Sequence, residues 1–494
     1  MTNKLFAAAR LAQHPPYRYP LIALNGAAGV LCFAPFECFW LAPLIWAGFF
    51  GWLQTAHSTR QGALTGFAFG LGFFLTGVSW VYVSLSVFGQ MPFWLAGLAA
   101  LLFCTVFAGY PALAGWLFCR WPLPAGWRQI LWFAALIAAI DWLRGWLFTG
   151  FPWLTLGYTQ APPSPLAGFA PLLGVHGLSL LTAFSAAALW RWRIGLPLLL
   201  ALAVTGQGLR HIEWTKAEGE PISVALIQGN VAQATKFRAD AFINTLNSYL
   251  NLVEAHPAQL TLLPETALPT FLDLLPEDYL QALANLAKRQ QGDLITGVVT
   301  GDNQYYFNSA VSLGSAPSQT YSKQHLVPFG ELIPPGFDWF VRMAAIPLSS
   351  FTRGAATQPP LQVAGRSVAI NICYEDAFGD EIIRAVPQAG ILANLSNTAW
   401  FGDSLAQPQH LQIARLRAAE AGRPMLRATN TGMTAIIGAQ GQLQGSLPPF
   451  QTGVLTGNIQ AYHGLTPYVR WGDGLAMILI GLLLALAHIR RPSR

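Results

Sequence analysis

Two regimes alternate along this chain. From residue 20 to about 209, long apolar runs follow one another with few charges between them, and the same texture returns at 471–488. Between them, 212–465 changes to short apolar runs of strand length, separated by stretches with helical spacing. A helix crossing a bilayer needs roughly 20 apolar residues. That predicts about eight transmembrane helices, at 20–36, 38–55, 63–85, 91–119, 127–149, 170–190, 193–209 and 471–488. The expected fold class is a polytopic α-helical membrane domain (20–209) followed by an α/β domain (212–465) and a closing anchor (471–488). Residues 1–19 and 489–494 read as tails.

Within 212–465 the strand-like runs are ISVALIQGN (222–230), QLTLLPETAL (259–268), LITGVVTG (294–301), NSAVSLG (308–314), SVAINICYED (367–376) and GILANLSNT (390–398). Helical spacing marks AFINTLNSYLNLVEAH (241–256), YLQALANLAKRQ (279–290) and HLQIARLRAAEAGR (410–423), and TAIIGAQGQL (434–443) has the look of a hairpin. Buried strands alternating with helices indicate a layered α/β fold, in which ligands bind at the carboxyl ends of strands.

Composition sharpens the membrane reading. Charged residues are 10% of the 494 and hydrophobic residues 53%, with 18 Trp and 31 Phe, whereas soluble domains carry about 25% charged residues. The net charge of +6 is best explained by topology. With the N-terminus inside, the cytoplasmic segments hold Lys4, Arg10 and Arg18, then Arg60, Arg120 and Arg128, Arg191 and Arg193, and finally Arg490, Arg491 and Arg494. The short outer loops near Glu37 and at 86–90 have no Lys or Arg, and Arg144 alone lies near the longer outer loop. This positive-inside bias places 212–465 outside the cytoplasm and argues against a nucleic-acid partner. The N-terminus has no small-residue cleavage site, so the first span is expected to stay as an anchor. Asp141 and Arg144, at i and i+3 near the outer end of the fifth span, are expected to pair structurally.

Cysteine usage then points to chemistry. Cys32, Cys38, Cys104 and Cys119 fall in or beside the expected spans, which leaves Cys373 alone in the exported domain with no disulfide partner there. Such a thiol is either reactive or a small buried apolar group. Two further strand-like runs end on charge: Glu265 after TLLP and Lys323 in YSKQHLVPFGE. Alone, Glu265 also admits a reading as a helix or turn cap, and Lys323 one as a solvated surface lysine. Together with the thiol they make a base, a cation and a nucleophile, the set acyl transfer needs. Burial is expected to raise the Glu265 carboxyl and make it a better base; His325 and His410 are other possible bases. No metal cluster, phosphate loop or nucleotide fingerprint occurs, so neither metal nor cofactor is expected.

The motifs QGN, LLPETALP, YSKQHLVPFGELIP, NICYED and LANLSNTAWFGDSLAQPQHLQIARLRAAEAGRPMLRATNTGMTA resemble those of the nitrilase (carbon–nitrogen hydrolase) superfamily. With membrane spans on both sides, and with APF near Pro35, GVSWVYVSL in the third span and GFPWLTLGY at 150–158, the chain resembles the bacterial apolipoprotein N-acyltransferase family over nearly its whole length. The resemblance implies an αββα sandwich in the periplasm, anchored in the bacterial inner membrane. It implies Glu265 as base, Lys323 as oxyanion cation and Cys373 as nucleophile. Glu331 would orient the lysine or hold the amine, the Tyr374 N–H would be a second oxyanion donor, and Glu375 and Asn308 would belong to the site. Phe237 stands where the family tends to have Trp, and Trp153 is a possible lipid or substrate contact. The implied partners are a phospholipid acyl donor, most simply phosphatidylethanolamine, a diacylglyceryl apolipoprotein acceptor and the bilayer. An aromatic loop, FDWFVRMAAIPL (337–348), is expected to face the membrane, and Asp376 has no assigned role. The alternatives are a membrane-anchored amidase using the same residues with water as acceptor, and a transporter with an exported accessory domain. Seven spans argue against the first, and the scarcity of intramembrane charge and repeat symmetry against the second.

Overall fold

The computed structural model describes residues 15–302, 304–333 and 350–489. The aromatic stretch 337–348 and the charged residues Lys4, Arg10, Arg490, Arg491 and Arg494 lie outside them. Two compact units emerge: Met1–Tyr82, Phe93–His211 and Asp473–Arg494 form the first, Val83–Pro92 and Ile212–Gly472 the second.

The first unit is helical, with helices at Pro15–Ala28, Ala42–Gln54, Thr59–Gly77, Phe93–Arg120, Trp127–Trp146, Ala170–Ala188, Trp192–Leu209 and Gly474–His488. Among the described residues, three stretches are long and apolar enough to cross a membrane: Phe93–Arg120, Trp127–Thr149 and Pro165–Leu209. The last covers 45 residues, and a straight helix of that length would reach about 68 Å. It doubles back at the turn Leu189–Arg191 instead, so that Gly168 and Gly206 meet backbone to backbone near its two ends. The apolar helix Gly474–His488 has only 15 residues, a rise of about 22 Å, shorter than the sequence pattern implies.

In lipid there is no hydrophobic drive between helices, so close backbone approach has to supply contact. Glycines provide it: Gly62 faces Gly115, Gly66 faces Pro111, and Gly26 and Gly72 lie on the carbonyls of Phe69 and Ala23. Aromatic rings fill the remaining space, with Phe49 stacked on Phe69 at 4.3 Å and Trp46 edge-on to Phe69 and Phe73. The Asp141–Arg144 pair forms at 3.3 Å and does more than neutralise itself. Arg144 donates to the carbonyls of Phe151 and Trp153, while Asp141 accepts from the Leu156 N–H and the Ser179 hydroxyl. The pair thereby fastens the 147–156 segment. Trp153 is buried in this unit, edge-on to Trp80 and stacked on Phe151.

The second unit is an αββα sandwich. Its first sheet has seven strands: β1 (Lys216–Gln228), β2 (Leu260–Leu262), β3 (Leu268–Phe271), β4 (Asp293–Gly301), β5 (Tyr306–Gly314), β6 (Thr320–Ser322) and β13 (Gly453–His463), in the order β13-β1-β2-β4-β5-β6 with β3 beside β4. The second has six: β7 (Leu361–Val363), β8 (Arg366–Ile372), β9 (Ile391–Ser396), β10 (Met425–Thr429), β11 (Ala435–Ile437) and β12 (Leu443–Ser446), in the order β12-β11-β10-β9-β8-β7. Alternate residues of each strand point to opposite faces. Val224, Leu226, Leu262, Ile370, Ile372 and Leu395 meet between the sheets. Ile227 and Leu294 face the helices Ala239–Ala255 and Glu277–Arg289 through Leu246, Tyr249 and Leu283. Ala369 and Leu392 face the helix Ala406–Ala421 through Leu411, Ala414 and Ala418.

β2, β8 and β9 run parallel to their neighbours β4, β9 and β10. β6 reaches the same direction as β4 through two antiparallel steps. One end of the sandwich therefore collects the carboxyl ends of β2 and β6, which is where Glu265 and Lys323 stand. The run QLTLLPETAL is not one strand: it breaks after Leu262, and Thr266 adopts a left-handed φ of 48° before β3 resumes. Gly297 of β4 makes this break possible, because a Cβ there would meet the backbone of Pro264, Glu265 and Thr266. Gly297→Ala should push the Glu265 loop outward and lower turnover at least about tenfold, while the melting temperature changes far less; a full-activity variant would contradict this packing.

Candidate active site

Cys373 closes β8 and opens the turn Cys373–Ala377, with a left-handed φ of 54°. A non-glycine residue held in that region marks a backbone over-determined by its surroundings, as at the strand-to-turn elbow that presents a nucleophile. Cys373 is buried, and the charges of Glu265, Lys323 and Glu331 all act on its thiol.

Glu265 is gripped on both oxygens. Oε1 accepts from the Asn308 amide at 2.8 Å and the Lys323 ammonium at 3.3 Å, and Oε2 accepts from the Asn397 N–H at 2.7 Å. Glu331 completes the cluster, with its carboxylate 2.8 Å from the Lys323 ammonium and 2.8 Å from the same Asn308 amide. Its other anchor is the Val327 N–H, 2.9 Å away. Glu265, Lys323, Glu331, Asn308 and Cys373 are thus brought together.

The charges settle one another. Burial alone would raise the Glu265 carboxyl, but the Lys323 ammonium, the Asn308 amide, Lys236 and the Asn397 N–H outweigh it and hold the group below its ordinary value. The expectation that desolvation raises this base is therefore reversed. Burial likewise opposes the Lys323 ammonium, yet Glu331 and Glu265 raise it above its usual range, so it stays charged. Burial pushes the Cys373 thiol up, and Glu265 adds to this more than Lys323 offsets. At rest the Cys373 thiol keeps its proton, Glu265 is a carboxylate and Lys323 an ammonium.

The two acids after Cys373 point in different directions. The Glu375 carboxylate accepts from the Ile372 N–H at 2.6 Å, the Gln324 N–H at 2.7 Å, the His325 N–H at 3.1 Å and the Tyr321 hydroxyl at 2.9 Å. It clamps the loop after Lys323 to the start of the cysteine turn. Asp376 is fully buried between His410 at 2.7 Å and Arg427 at 2.8 Å. Arg427 also reaches the Asn394 side chain at 2.7 Å, and Asn394 donates to the Cys373 carbonyl at 3.1 Å. The His410 ring nitrogen lies 3.3 Å from that same carbonyl. This network holds the elbow from behind.

His410 is thus engaged with Asp376, and His325 is engaged with Glu381 at 3.0 Å and stacked on Phe378. Both geometries argue against their use as the base. The Tyr374 ring packs edge-on to His325 and Phe378. Phe237 is 41% exposed on the loop that follows Gln228-Gly229-Asn230. That loop is tied down by Asn430, which bridges Val231 and Asn397, and by the Asn397 amide donating to Gln233 at 2.9 Å. The turn Thr398–Phe401 beyond Asn397 carries Trp400, whose carbonyl accepts from the Ser84 hydroxyl at 2.7 Å and whose ring meets Phe88 edge-on.

Sequence reasoning missed Lys236, Asn394, Asn397, His410 in its positioning place and Arg427. Asn397 ends the apolar run ILANLS much as Glu265 ends TLL, and that signal was available. Lys236 and Arg427 carry no such mark.

The Carbon-nitrogen hydrolase family model matches residues 223–468, and the Apolipoprotein N-acyltransferase N-terminal domain model matches 25–188. The apolipoprotein N-acyltransferase of Nitrosomonas europaea is 48% identical over 474 residues, covering 93% of this chain and 94% of the relative. The chain belongs to the apolipoprotein N-acyltransferase family. Proteins of the same name from Chromobacterium violaceum and Ralstonia nicotianae are 46% and 44% identical, covering 94% and 96% of this chain and 92% and 94% of their own lengths. Membership spans both units, so the helical unit and the sandwich belong to one enzyme.

Two outcomes test the supports of the site. Asp376→Ala leaves Arg427 buried without its carboxylate and should destabilise the fold by about 3–5 kcal/mol, read as a lower melting temperature. Burial, opposed by the Ile372, His325 and Gln324 N–H groups and by Lys323, pushes Glu375 up from 4.5 to about 7. A folded value above the unfolded one favours the folded state below the unfolded value, and that contribution is lost as pH rises through the folded one. Wild-type stability relative to Glu375→Gln should therefore fall as pH rises from about 4.5 to about 7; a pH-independent difference would contradict it.

Proposed function

We propose that this enzyme moves one acyl chain from a phospholipid to the N-terminal α-amine of a diacylglyceryl-cysteine apolipoprotein, by way of a thioester on Cys373. The observation that carries this reading is a buried thiol on a strained strand end, facing Glu265 and Lys323, in a chain of the apolipoprotein N-acyltransferase family.

In the first step, the Cys373 sulfur attacks the ester carbonyl as Glu265 accepts the thiol proton. The Lys323 ammonium and the Tyr374 N–H stabilise the oxyanion. As the tetrahedral centre collapses, the C–O bond breaks, the lysophospholipid oxygen takes the proton from Glu265, and the thioester remains. In the second step, the neutral α-amine attacks the thioester carbonyl and gives its proton to Glu265. The C–S bond breaks, the sulfur recovers that proton, and the acyl chain leaves as an amide. Glu331 and Asn308 keep Lys323 and Glu265 in register throughout, and Phe237, exposed on its loop, is a contact for lipid or acceptor, whereas Trp153 is buried in the helical unit and is not one.

Phosphatidylethanolamine is the proposed donor. The proposed topology has about eight spans, with the N-terminus cytoplasmic, the bacterial inner membrane as the site, and the domain from 212 to 465 in the periplasm. The charge bias of the loops supports it, as does the folding back of Pro165–Leu209.

The test is mass spectrometry of purified protein after exposure to phospholipid alone. One acyl chain on Cys373, removed on adding an apolipoprotein peptide with a free α-amine, is expected, with ping-pong kinetics. Cys373→Ala and Lys323→Ala should each abolish turnover. Absence of a thioester, with ammonia released from small amides, would instead favour a membrane-anchored hydrolase.

A further inference from the structure

The loop between Gln228 and the helix Ala239–Ala255 carries Lys236, a residue to which the acyl-transfer steps give no task. It lies in turn structure, where lysines are ordinarily solvated, yet it is only 2% exposed. Its ammonium donates to the backbone carbonyl of Glu265 at 3.2 Å. Its charge acts on both the Glu265 carboxylate and the Cys373 thiol. A buried ammonium is costly unless compensated, and the negative charge that compensates this one is the catalytic base itself.

The charge count of the site explains why such a lysine is useful. Glu265 and Glu331 contribute two negative charges, Lys323 and Lys236 two positive ones, and Cys373 is neutral at rest. Attack by the sulfur develops negative charge on the reacting atoms. Lys323 is already shared between two carboxylates. Without Lys236 the site would begin with an excess of one negative charge, and the sulfur would attack against it.

We propose that Lys236 is a second cation of the site: a positioning residue that ties the overlying loop to the base and offsets the negative charge developed at Cys373. This rests on the reading of Cys373 as the nucleophile. The charged and titratable groups facing Lys236 are Glu265 from the β2 end and Cys373 from the β8 end. Lys323 is bonded to Glu265 and Glu331 to Lys323, while Asp376 binds Arg427 and His410, whose ring lies on the Cys373 carbonyl. On its own loop, Arg238 is engaged with Asp240 at the surface. Burial pushes the Lys236 ammonium down to about 8, against the pull of Glu265 and Cys373. The cation is therefore present at neutral pH and lost as pH rises through about 8. An arginine, charged to beyond pH 12, would keep it.

The full chain, purified with phospholipid, carries the test. Alkylation of Cys373 by iodoacetamide, located by mass spectrometry, is followed with acyl-transfer turnover from about pH 6 to about pH 10. Lys236→Met should slow alkylation at neutral pH at least about tenfold, the effect of one pKa unit on the thiol. Wild-type turnover should fall on the alkaline side near pH 8, and Lys236→Arg should stay active with that limb moved upward. Unchanged alkylation in Lys236→Met, an unmoved limb in Lys236→Arg, or an arginine variant as slow as the methionine one would each overturn the proposal. If Lys236→Met does not fold, the wild-type and arginine limbs decide alone. A wild-type protein that forms no acyl-Cys373 would instead overturn the acyl-transfer reading.

Discussion

The charged cluster of the sandwich is arranged around one buried ammonium shared by two carboxylates. Lys323 touches Glu265 at 3.3 Å and Glu331 at 2.8 Å, and its side chain is 1% exposed. Charges buried this deeply persist only when paired and hydrogen-bonded. The requirement reaches outward: Asn308 has to bridge the two carboxylates, Asn397 has to offer its N–H to the far oxygen of Glu265, and the strand carrying Glu265 has to break so that the carboxylate can turn inward. Two sheets meeting at their carboxyl ends satisfy all these demands within one layer.

The consecutive acids of Cys-Tyr-Glu-Asp show two solutions to the same burial problem. Glu375 is surrounded by neutral donors, mostly backbone N–H groups, and its carboxyl is pushed up to about 7. Asp376 faces a guanidinium and an imidazole instead. The first joins the lysine loop to the cysteine turn, and the second joins that turn to the strand β10 and the helix Ala406–Ala421. Neither carboxylate is hydrogen-bonded to Glu265, Lys323 or Glu331, yet together they explain why Cys373 can be held in a left-handed conformation that its side chain disfavours.

Much of the sandwich was legible because burial on both faces of its central strands leaves apolar runs, and a polar residue ending such a run stands out. Glu265, Lys323 and Cys373 were found that way. The break inside QLTLLPETAL was not, since Gly297, whose missing side chain admits it, lies in a different strand. The sign of the Glu265 shift was misjudged for a related reason: desolvation is a property of the residue's own burial, whereas the opposing cations come from segments 29 and 58 residues away in sequence. Lys236 and Arg427 look like solvated cations until the chain is folded. In the helical unit the apolar pattern located the helices but overstated the length of some, because hydropathy continues through breaks such as Gly29–Cys32 and Leu189–Arg191.

The positions of the protons carry the last argument. At rest the thiol is raised and the carboxylate is lowered, so moving the proton from sulfur to Glu265 is uphill before any substrate arrives. The thiol form is therefore favoured at rest, and reactivity towards oxidants and electrophiles follows thiolate character. On the proposed reading the proton moves only as the C–S bond forms, when the new negative charge settles on the carbonyl oxygen beside Lys323. Once the acyl chain is on sulfur, Glu265 is free of its proton and again lowered by its cations. It is then ready to accept a proton from an amine, whose attack makes it far more acidic than a free ammonium. On that proposed reading, one carboxylate, held low by its neighbours, serves both halves of the exchange without needing a different protonation state for each.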